Sequence, residues 1–387
     1  MIHHGDLFDV LPTIEAESVD ASVTDPPYGI GFMGREWDTF KPGTGATRKL
    51  MHPREREAAK AIVSDNPNIN GRHRSPALSP SQIDYDYSVA GLRSFQEWTE
   101  RWAREVFRVL KPGAYIVVCC APRSYHRMAC GLEDAGFVIR DKFSWLFGSG
   151  FPKNYNLGDG KGTALKPAHE PIALAWKPFR GSIKACHERH GTAALNIDAC
   201  RIEAEDFDPK DRKGATKLMA DRPWNERDRE AGEPQRGIEG NDLGRWPANV
   251  VMDEEAAALL GDVSRFYYVA KPSREERDMG CYDLQPRQRD DSRKEGNPGG
   301  DNPRNRGLQP RGNFHPTVKP VDLMRWLVRL VTPVDGVVLD PFGGSGTTAM
   351  AAVYEQRKFI LIEREAEYID IIKRRVHAVA PLFTEAV

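Results

Sequence analysis

The sequence predicts an α/β fold with a doubly wound, mostly parallel sheet at its centre. Strand-like and helix-like segments alternate between residues 94 and 147, and again between 321 and 378. The run at 114–120 is apolar throughout, which is typical of a strand that is buried on both faces of a parallel sheet. Buried strands that alternate with amphipathic helices place helices on both faces of one sheet.

In the first half of the chain, one long amphipathic helix is predicted at 94–110. Its residues Phe95, Trp98, Trp102 and Val106 recur at three- and four-residue steps, which is helical periodicity. The Lys-Pro-Gly that follows should end this helix. The other predicted elements are a strand end and short helix at 5–12, strands at 18–23, 114–120, 137–147 and 169–176, and a helix at 124–135.

The second half of the chain is irregular until about residue 312 and regular after it. Residues 179–245 are highly charged with little periodicity, and residues 285–311 are rich in glycine, proline and asparagine, which predicts a flexible loop. Residues 29–84 are too long for an ordinary connection and predict a mobile loop. The remaining predicted elements are strands at 266–270, 336–339 and 358–362, and helices at 321–331, 347–356 and 366–378.

Composition excludes several classes of protein. The 387 residues are 40% hydrophobic, which is enough for a core, and no run reaches the roughly 18 apolar residues that a membrane span needs. The amino terminus does not resemble a signal peptide, and six scattered cysteines fit a reducing cytoplasm better than a disulfide framework. Cys186, His190 and Cys200 match no common zinc spacing, so no metal site is predicted.

The net charge of −1 does not indicate a nucleic-acid partner, but the distribution of charge leaves room for one. Residues 41–84 hold eight Lys and Arg against four Asp and Glu, and residues 140–190 hold nine against four. Such segments can form local basic surfaces on a neutral protein. Charged, solvated loops would explain the same counts.

Residues 24–28, Thr-Asp-Pro-Pro-Tyr, form a stiff loop after a predicted buried strand. Each proline pushes the residue before it out of the helical region, so Asp25 leaves the strand extended. A carboxylate on Asp25 and the carbonyl of Pro26 could accept the two N–H groups of an exocyclic amine and free its lone pair. Tyr28 could stack on the base that carries the amine. The same residues would also serve as an ordinary rigid turn.

Residues 337–348 read as a strand, a glycine turn and the start of a helix. A phosphate-binding loop is disfavoured because the Gly-Lys-Ser/Thr ending is missing. A dinucleotide-binding turn is disfavoured because Asp340 would repel a pyrophosphate, whereas it would attract the α-amino group of S-adenosylmethionine. Glu363, at the end of the next strand, lies where nucleotide-binding α/β folds carry a ribose-binding carboxylate. A glycine turn without a ligand is the remaining alternative.

Together, the two motifs resemble those of the amino-DNA methyltransferases, which methylate exocyclic amines of adenine or cytosine. The order, with TDPPY first and DPFGGSGTT last, is similar to the permuted β group of that family. The resemblance covers residues 5 to about 147 and 315 to about 378. It implies a circularly permuted, Rossmann-like methyltransferase sheet with a catalytic half at 1–178, a target-recognition insertion at 179–312 and a half that binds S-adenosyl-L-methionine at 313–387.

The resemblance also implies roles for individual residues. Asp25, Pro26, Pro27 and Tyr28 would hold the target amine and its base. The residues expected to bind the cofactor are Asp6, Thr317, Lys319, Asp340, Phe342, Gly344, Ser345, Gly346, Thr347 and Glu363. Among these, Asp6 would lie near the cofactor adenine, and the His-Pro-Thr-Val-Lys-Pro segment at 315–320 would lie near the methionine end. A Thr-x-Lys-Pro before a helix is also a plain capping sequence.

The expected function is methyl transfer from S-adenosylmethionine to the N6 amine of a flipped-out adenine in double-stranded DNA. Aspartate before Pro-Pro-Tyr favours adenine, and N4-cytosine is the close alternative because both amines need the same acceptors. Alternatives of other classes are an inactive nucleic-acid-binding module and a methyltransferase of RNA or of protein glutamine. The resemblance leaves room for a homodimer and for a companion restriction nuclease in a bacterium, an archaeon or a phage-infected cell.

Overall fold

The computed structural model describes residues 1–29, 89–148, 150, 156–202, 244–270, 274–287 and 312–381. The predicted loops at 29–84 and 285–311 lie almost entirely outside the described residues. Among the described residues, no helix combines the length and the apolar character that crossing a bilayer would demand.

Strands and helices alternate along the described chain, as the apolar patterns predicted. The strands are β1 Ile2–His4, β2 Val19–Thr24, β3 Leu110–Cys119, β4 Val138–Leu146, β5 Asn156–Gly158, β6 Lys161–Gly162, β7 His169–Trp176, β8 Val250–Asp253, β9 Tyr268–Ala270, β10 Val337–Asp340 and β11 Lys358–Glu363. The α-helices are α1 Leu7–Val10, α2 Val89–Val109, α3 Tyr125–Asp134, α4 Ile183–His190, α5 Glu254–Leu260, α6 Arg274–Asp278, α7 Val321–Val331, α8 Thr347–Tyr354 and α9 Ala366–Val379.

Nine of the described strands form one sheet, in the order β1-β11-β10-β2-β3-β7-β4-β8-β9. Every neighbouring pair in it is parallel except the two that β7 makes, with β3 and with β4. The prediction of a mostly parallel α/β sheet is therefore confirmed. The antiparallel β7 matters for function, because it brings the beginning of a strand to the edge where β2 and its own neighbours β3 and β4 end.

Two hydrophobic cores cover the two faces of the sheet. One is built around α2 and α3, where Trp102, Val106 and Met128 are fully buried. The other is built around α7, where Trp326 and Leu327 pack against the opposite face. The periodic apolar residues of the predicted helices supply both layers, which is the doubly wound arrangement.

The region that looked irregular in sequence contains regular elements. Helix α4 begins after Ser182, whose hydroxyl accepts a hydrogen bond from the amide of Ala185, and it ends at Gly191 in the left-handed conformation. Strand β8 and helix α5 follow further along. Capping rather than apolar periodicity defines the two short helices, so apolar periodicity alone does not predict them.

The described parts of the predicted insertion at 179–312 lie at two different edges of the sheet. The Thr192 hydroxyl donates a hydrogen bond to the carbonyl of Pro112, and the Asn196 side chain donates to the carbonyl of Thr332. These contacts place residues 182–200 where β3 and β10 begin. Strands β8 and β9 instead extend the sheet itself and end at the same edge as β2 and β10.

Candidate active site

Four acidic residues lie at the carboxyl ends of four neighbouring strands. Asp6 follows β1, and Glu363 and Asp340 end β11 and β10. Asp25 follows β2, which is the next strand of the sheet. The four carboxyl groups therefore succeed one another along one edge. That edge of an open α/β sheet is where ligands bind, so it is the candidate active site.

The carboxylate of Asp25 is held by two side chains. The Tyr28 hydroxyl donates a hydrogen bond to its Oδ1 at 2.6 Å, and the Lys319 ammonium donates one to its Oδ2 at 2.8 Å. The ammonium also donates to the Tyr28 hydroxyl oxygen at 2.8 Å. The structure thus places Lys319 beside the predicted amine-binding loop. The resemblance instead implied that its segment lies near the methionine end of the cofactor.

A second carboxylate, that of Glu170 on β7, completes what we call the Asp25 cluster: Asp25, Tyr28, Glu170 and Lys319. The Oε2 atom of Glu170 lies 3.3 Å from the Lys319 ammonium and 3.2 Å from the Tyr28 hydroxyl oxygen. Neither sequence motif contains or points to Glu170. Its only signal was an acid at the start of a strand whose remaining residues are almost all apolar.

Burial and charge fix the protonation states of the two donors. Burial raises the pKa of Tyr28 well above its usual value, and the negative charges of Asp25 and Glu170 raise it further, so the phenol stays neutral. Burial works against the charge of Lys319, but the same two carboxylates outweigh it and raise the pKa of the ammonium. The cluster therefore holds one permanent cation between two acids.

The backbone of the loop is fixed from both sides. The Ser124 hydroxyl, just before α3, donates a hydrogen bond to the carbonyl of Tyr28 at 2.6 Å. Pro26 is buried and Pro27 is half-buried. Gly29 has a φ of +68°, and a Cβ atom there would lie 2.7 Å from the ring of Phe95, so the chain can turn over α2 only with glycine at this position.

A single hydroxyl connects the two sequence motifs. The Thr24 hydroxyl, next to Asp25, donates a hydrogen bond to Oδ1 of Asp340 at 2.7 Å. The Thr348 hydroxyl donates to Oδ2 at 2.6 Å, and the amide of Phe342 donates to Oδ1 at 3.0 Å. Burial raises the pKa of Asp340 to about 6, although these hydrogen bonds lower it. Asp340 thus joins β2, β10 and α8.

The glycine turn, residues 341–346, is tied to Glu363. Its Gly344 and Gly346 have φ values of +52° and +79°, a conformation that residues other than glycine rarely adopt. The amide of Gly344 donates a hydrogen bond to Oε2 of Glu363 at 2.7 Å, and the amide of Glu365 donates to Oε1 at 2.8 Å. Burial raises the pKa of Glu363 to about 7.

Arg375 on α9 holds the end of the glycine turn by hydrogen bonds, although it lies outside both sequence motifs. This arginine is fully buried. Its Nη1 donates hydrogen bonds to the carbonyl and hydroxyl of Ser345 at 2.7 and 3.0 Å, and to the Thr347 hydroxyl at 3.1 Å. Burial lowers the pKa of Arg375 to about 10. Ser345 and Thr347 are both predicted to bind the cofactor, and here they accept hydrogen bonds from Arg375.

The remaining predicted cofactor residues occupy distinct places. Asp6 caps α1 by accepting a hydrogen bond from the amide of Phe8, and its neighbour Gly5 donates one to the carbonyl of Glu363. Phe342 points into the core, with its ring centroid 5.5 Å from that of Trp98. Thr317 is half-buried, and its amide donates a hydrogen bond to Nδ1 of His315 at 3.4 Å.

The segment at 312–320 spans the whole site. A Cβ atom on Gly344 would lie 3.1 Å from Nε2 of His315, so the histidine ring covers the glycine turn. Four residues later, Lys319 belongs to the Asp25 cluster. One short segment therefore contacts both sequence motifs.

These residues fit a nucleoside that carries an amino-acid tail. Carboxylates at Asp6 and Glu363 can accept hydrogen bonds from hydroxyl or amino groups. The start of α8, where Gly346 provides no side-chain cap, offers backbone N–H groups to an anion such as a carboxylate. The left-handed glycines remove the side chains that would block such an approach.

One family model and several known proteins match this chain. Residues 19–374 match the model of the N6_N4_Mtase family, described as DNA methylase. The type II methyltransferase M.HindIII of Haemophilus influenzae is 24% identical, over 97% of this chain and 94% of its own length. The solved structure of PvuII DNA methyltransferase, cytosine-N4-specific, has a TM-score of 0.49 at 15% identity and covers 97% of this chain and 85% of its own. The M1.HpyAVI–SAM complex has a TM-score of 0.42 at 16% identity, over 97% of this chain and 98% of its own.

Proposed function

The chain belongs to the N6_N4 family of DNA methylases, and we propose that it transfers a methyl group from S-adenosylmethionine to the N6 amine of adenine in double-stranded DNA. The observation that carries this proposal is the hydrogen bond between Thr24 and Asp340. This bond joins the residue before Asp25 to the residue before the glycine turn, which supports the proposal that an amine acceptor and a nucleoside-binding turn share one edge of the sheet.

The residues at the turn are those that would hold the methyl donor. Glu363 and Asp6 would accept hydrogen bonds from the nucleoside, and the amide of Thr347 at the start of α8 would face its carboxylate, since the amide of Gly346 already donates to the carbonyl of Gly343. When bound, S-adenosylmethionine supplies a methyl group that its sulfonium already activates. The protein therefore needs no nucleophile of its own, and its task is to orient the amine and to stabilise the charge that develops on it.

Asp25 and Pro26 would perform that task. The exocyclic amine is a poor nucleophile because its lone pair is delocalised into the ring. Hydrogen bonds from its two N–H groups to the Asp25 carboxylate and the Pro26 carbonyl would draw the nitrogen toward tetrahedral geometry. When the methyl group passes from sulfur to nitrogen, the sulfur would leave as a neutral thioether and the nitrogen would become positive. The adjacent Asp25 carboxylate would stabilise that charge until the nitrogen gives one proton to water.

The target base has to leave the duplex to reach this loop. The N6 amine of adenine is paired and stacked inside double-stranded DNA, and the Asp25 cluster is largely buried. Flipping a base costs about a few kcal/mol. We propose that the ring of Tyr28 stacks on the flipped base. The hydrogen bond from Ser124 to the carbonyl of Tyr28 holds this residue in place. The insertion at 179–312 remains our proposal for target recognition, and a companion nuclease is proposed because M.HindIII is named a type II methyltransferase.

The test is to identify modified bases in DNA from a methylation-free host that expresses the chain. Long-read sequencing and mass spectrometry of nucleosides should find N6-methyladenine in one sequence context. A host that expresses Asp25→Ala is the control and should show none. N4-methylcytosine would overturn the choice of adenine, and the absence of any modified base with a folded protein would overturn DNA methyl transfer.

A further inference from the structure

Glu170 is the member of the Asp25 cluster to which the sequence motifs assign no role. We propose that Glu170 is a positioning residue of methyl transfer, which takes over Lys319 and Tyr28 from Asp25 when the target amine binds. The inference rests on the proposed function, because it concerns how Asp25 becomes free to accept the amine.

Both oxygens of Asp25 already accept hydrogen bonds, at 2.6 Å from the Tyr28 hydroxyl and at 2.8 Å from the Lys319 ammonium. Each oxygen can accept a second hydrogen bond, but an arriving N–H group would share its oxygen with a phenol or with a cation, and both weaken Asp25 as an acceptor. The cation matters most, because its full positive charge adds an ion pair to its hydrogen bond with Asp25. Methyl transfer needs the Asp25 carboxylate to stabilise the amine, and Asp25 can do so better once its two present donors have moved to another acceptor.

Glu170 lies within reach of both donors. Its Oε2 is 3.3 Å from the Lys319 ammonium and 3.2 Å from the Tyr28 hydroxyl oxygen. The phenol has one hydrogen and can direct it to Asp25 or to Glu170 by rotation about its C–O bond. A short shift of the lysine head group would likewise shorten its contact with Glu170 as the contact with Asp25 lengthens.

Burial makes this second acceptor necessary for Lys319. Its side chain is only 9% exposed, so water cannot easily replace a lost carboxylate. An ammonium that is buried without a partner is costly. In the part of the chain that the structure describes, Asp25 and Glu170 are the two carboxylates that form ion pairs with it. Without the charge of Glu170, the ammonium would stay on Asp25.

The fold holds Glu170 in place while the lysine moves. Glu170 lies on β7, opposite Trp145 of β4, and hydrogen-bonded strands flank β7 on both sides. Because β7 is antiparallel, its first residues reach the edge where β2 ends. Lys319 instead lies in a segment without regular structure just before α7, at the end of a flexible four-carbon side chain.

Glu170→Gln tests this inference, because it keeps the shape of the side chain and an oxygen that can accept the phenol hydrogen but removes the charge. We expect the single-turnover rate of methyl transfer to fall about tenfold, with the Kd for S-adenosylmethionine within about twofold of the wild type. Glu170→Asp, which keeps the charge on a shorter side chain, should show an intermediate rate. Glu133→Gln, an exposed glutamate on α3, is the matched control and should leave the rate unchanged.

A double variant separates positioning from a general structural effect. Because Glu170 acts through Lys319, adding Glu170→Gln to Lys319→Met should slow transfer by no more than about threefold beyond Lys319→Met alone. Two losses that multiply in full would contradict the inference, as would a Glu170→Gln rate within twofold of the wild type. In either case a wild type that methylates DNA would leave the proposed function intact. A folded wild type that transfers no methyl group to DNA would overturn both.

Discussion

The two halves of the active site hold their buried carboxylates in different ways. At the glycine turn, Asp340 accepts hydrogen bonds from two hydroxyls and an amide, and Glu363 accepts them from two backbone amides. In the Asp25 cluster, Asp25 and Glu170 instead share an ammonium and a phenol. Uncharged hydroxyl and amide donors therefore surround Asp340 and Glu363. Asp25 and Glu170 are surrounded by an ammonium and a phenol on side chains that are able to move.

The difference teaches what each half has to do. A carboxylate that only binds a ligand can be surrounded by fixed dipoles, because its partners stay the same throughout. A carboxylate that must accept a new partner during the reaction needs donors that can withdraw. We therefore expect changes at Glu363 to alter affinity for the methyl donor and changes at Asp25 to alter the rate.

Asp25→Ala should have the largest effect of these variants. A small effect would contradict the difference that we draw between the two halves of the site. We expect the rate of methyl transfer to fall at least about 1,000-fold, because the acceptor that stabilises the developing charge is gone. The Kd for S-adenosylmethionine should stay within about twofold. Transfer of labelled methyl groups to DNA and calorimetric binding measure the two quantities. Near-normal turnover would show that Asp25 is not the acceptor.

Glu363→Ala should show the opposite division. We expect the Kd for S-adenosylmethionine to rise about 100-fold, because a buried carboxylate would no longer accept hydrogen bonds from the nucleoside. The rate at saturating donor should change little. Glu365→Ala is the control, since this neighbouring carboxylate is 43% exposed. A loss of rate at saturation with unchanged affinity would place Glu363 in the chemistry instead.

The protonation of Glu363 gives a pH-dependent prediction. Its pKa is raised from 4.5 to about 7 by burial, so the folded state binds the proton more tightly than the unfolded state does. The free energy of unfolding should then fall as the pH rises from 5 to 7, by about 2 kcal/mol from this residue. Denaturant titrations of Glu363→Gln without ligand should show a flatter pH dependence by that amount. An equal slope in both proteins would contradict burial as the cause.

Thr24→Val should have the smallest effect and sharpens the link between the halves. The substitution keeps the shape but leaves the buried Asp340 with one donor fewer, so we expect a loss of about 1.5 kcal/mol in the free energy of unfolding. Thr99→Val, which removes a buried hydroxyl bonded to a helix carbonyl, is the neutral counterpart and should cost less. Equal losses in chemical denaturation would mean that the charge of Asp340 adds nothing.

The elements that carry the motifs could be predicted because their apolar residues are periodic. The strands before Asp25 and Asp340, and the helices α2 and α7, lie close to where the sequence places them. The direction of β7 could not be predicted, because a strand's direction depends on its neighbours rather than on its own residues. Helix α4 was missed for a related reason, since its caps define it.

The site was predictable as two motifs but not as a set of contacts. Asp25 and Asp340 were found because local sequence shapes their turns. Lys319 is 294 residues from Asp25, and its contact with that carboxylate depends on how distant strands assemble into one sheet. Arg375 looks like an ordinary surface residue of a charged helix, and only the packing of α9 under the glycine turn buries it.

The order of strands in the sheet has a consequence for how the protein is made. Strand β2 pairs with β3 early, but its other neighbour β10 follows much later, and the Ser22 hydroxyl donates to the carbonyl of Leu339, 317 residues away. At about 5 to 20 residues per second, a ribosome needs about 15 to 60 s to synthesise that stretch. Until β10 is made, the edge of β2 that faces it stays unpaired, and the Asp-Pro-Pro-Tyr loop lacks Lys319 for almost as long. Chaperones are therefore expected to matter during translation, and a message truncated before residue 340 would yield a chain that has the loop but lacks the glycine turn.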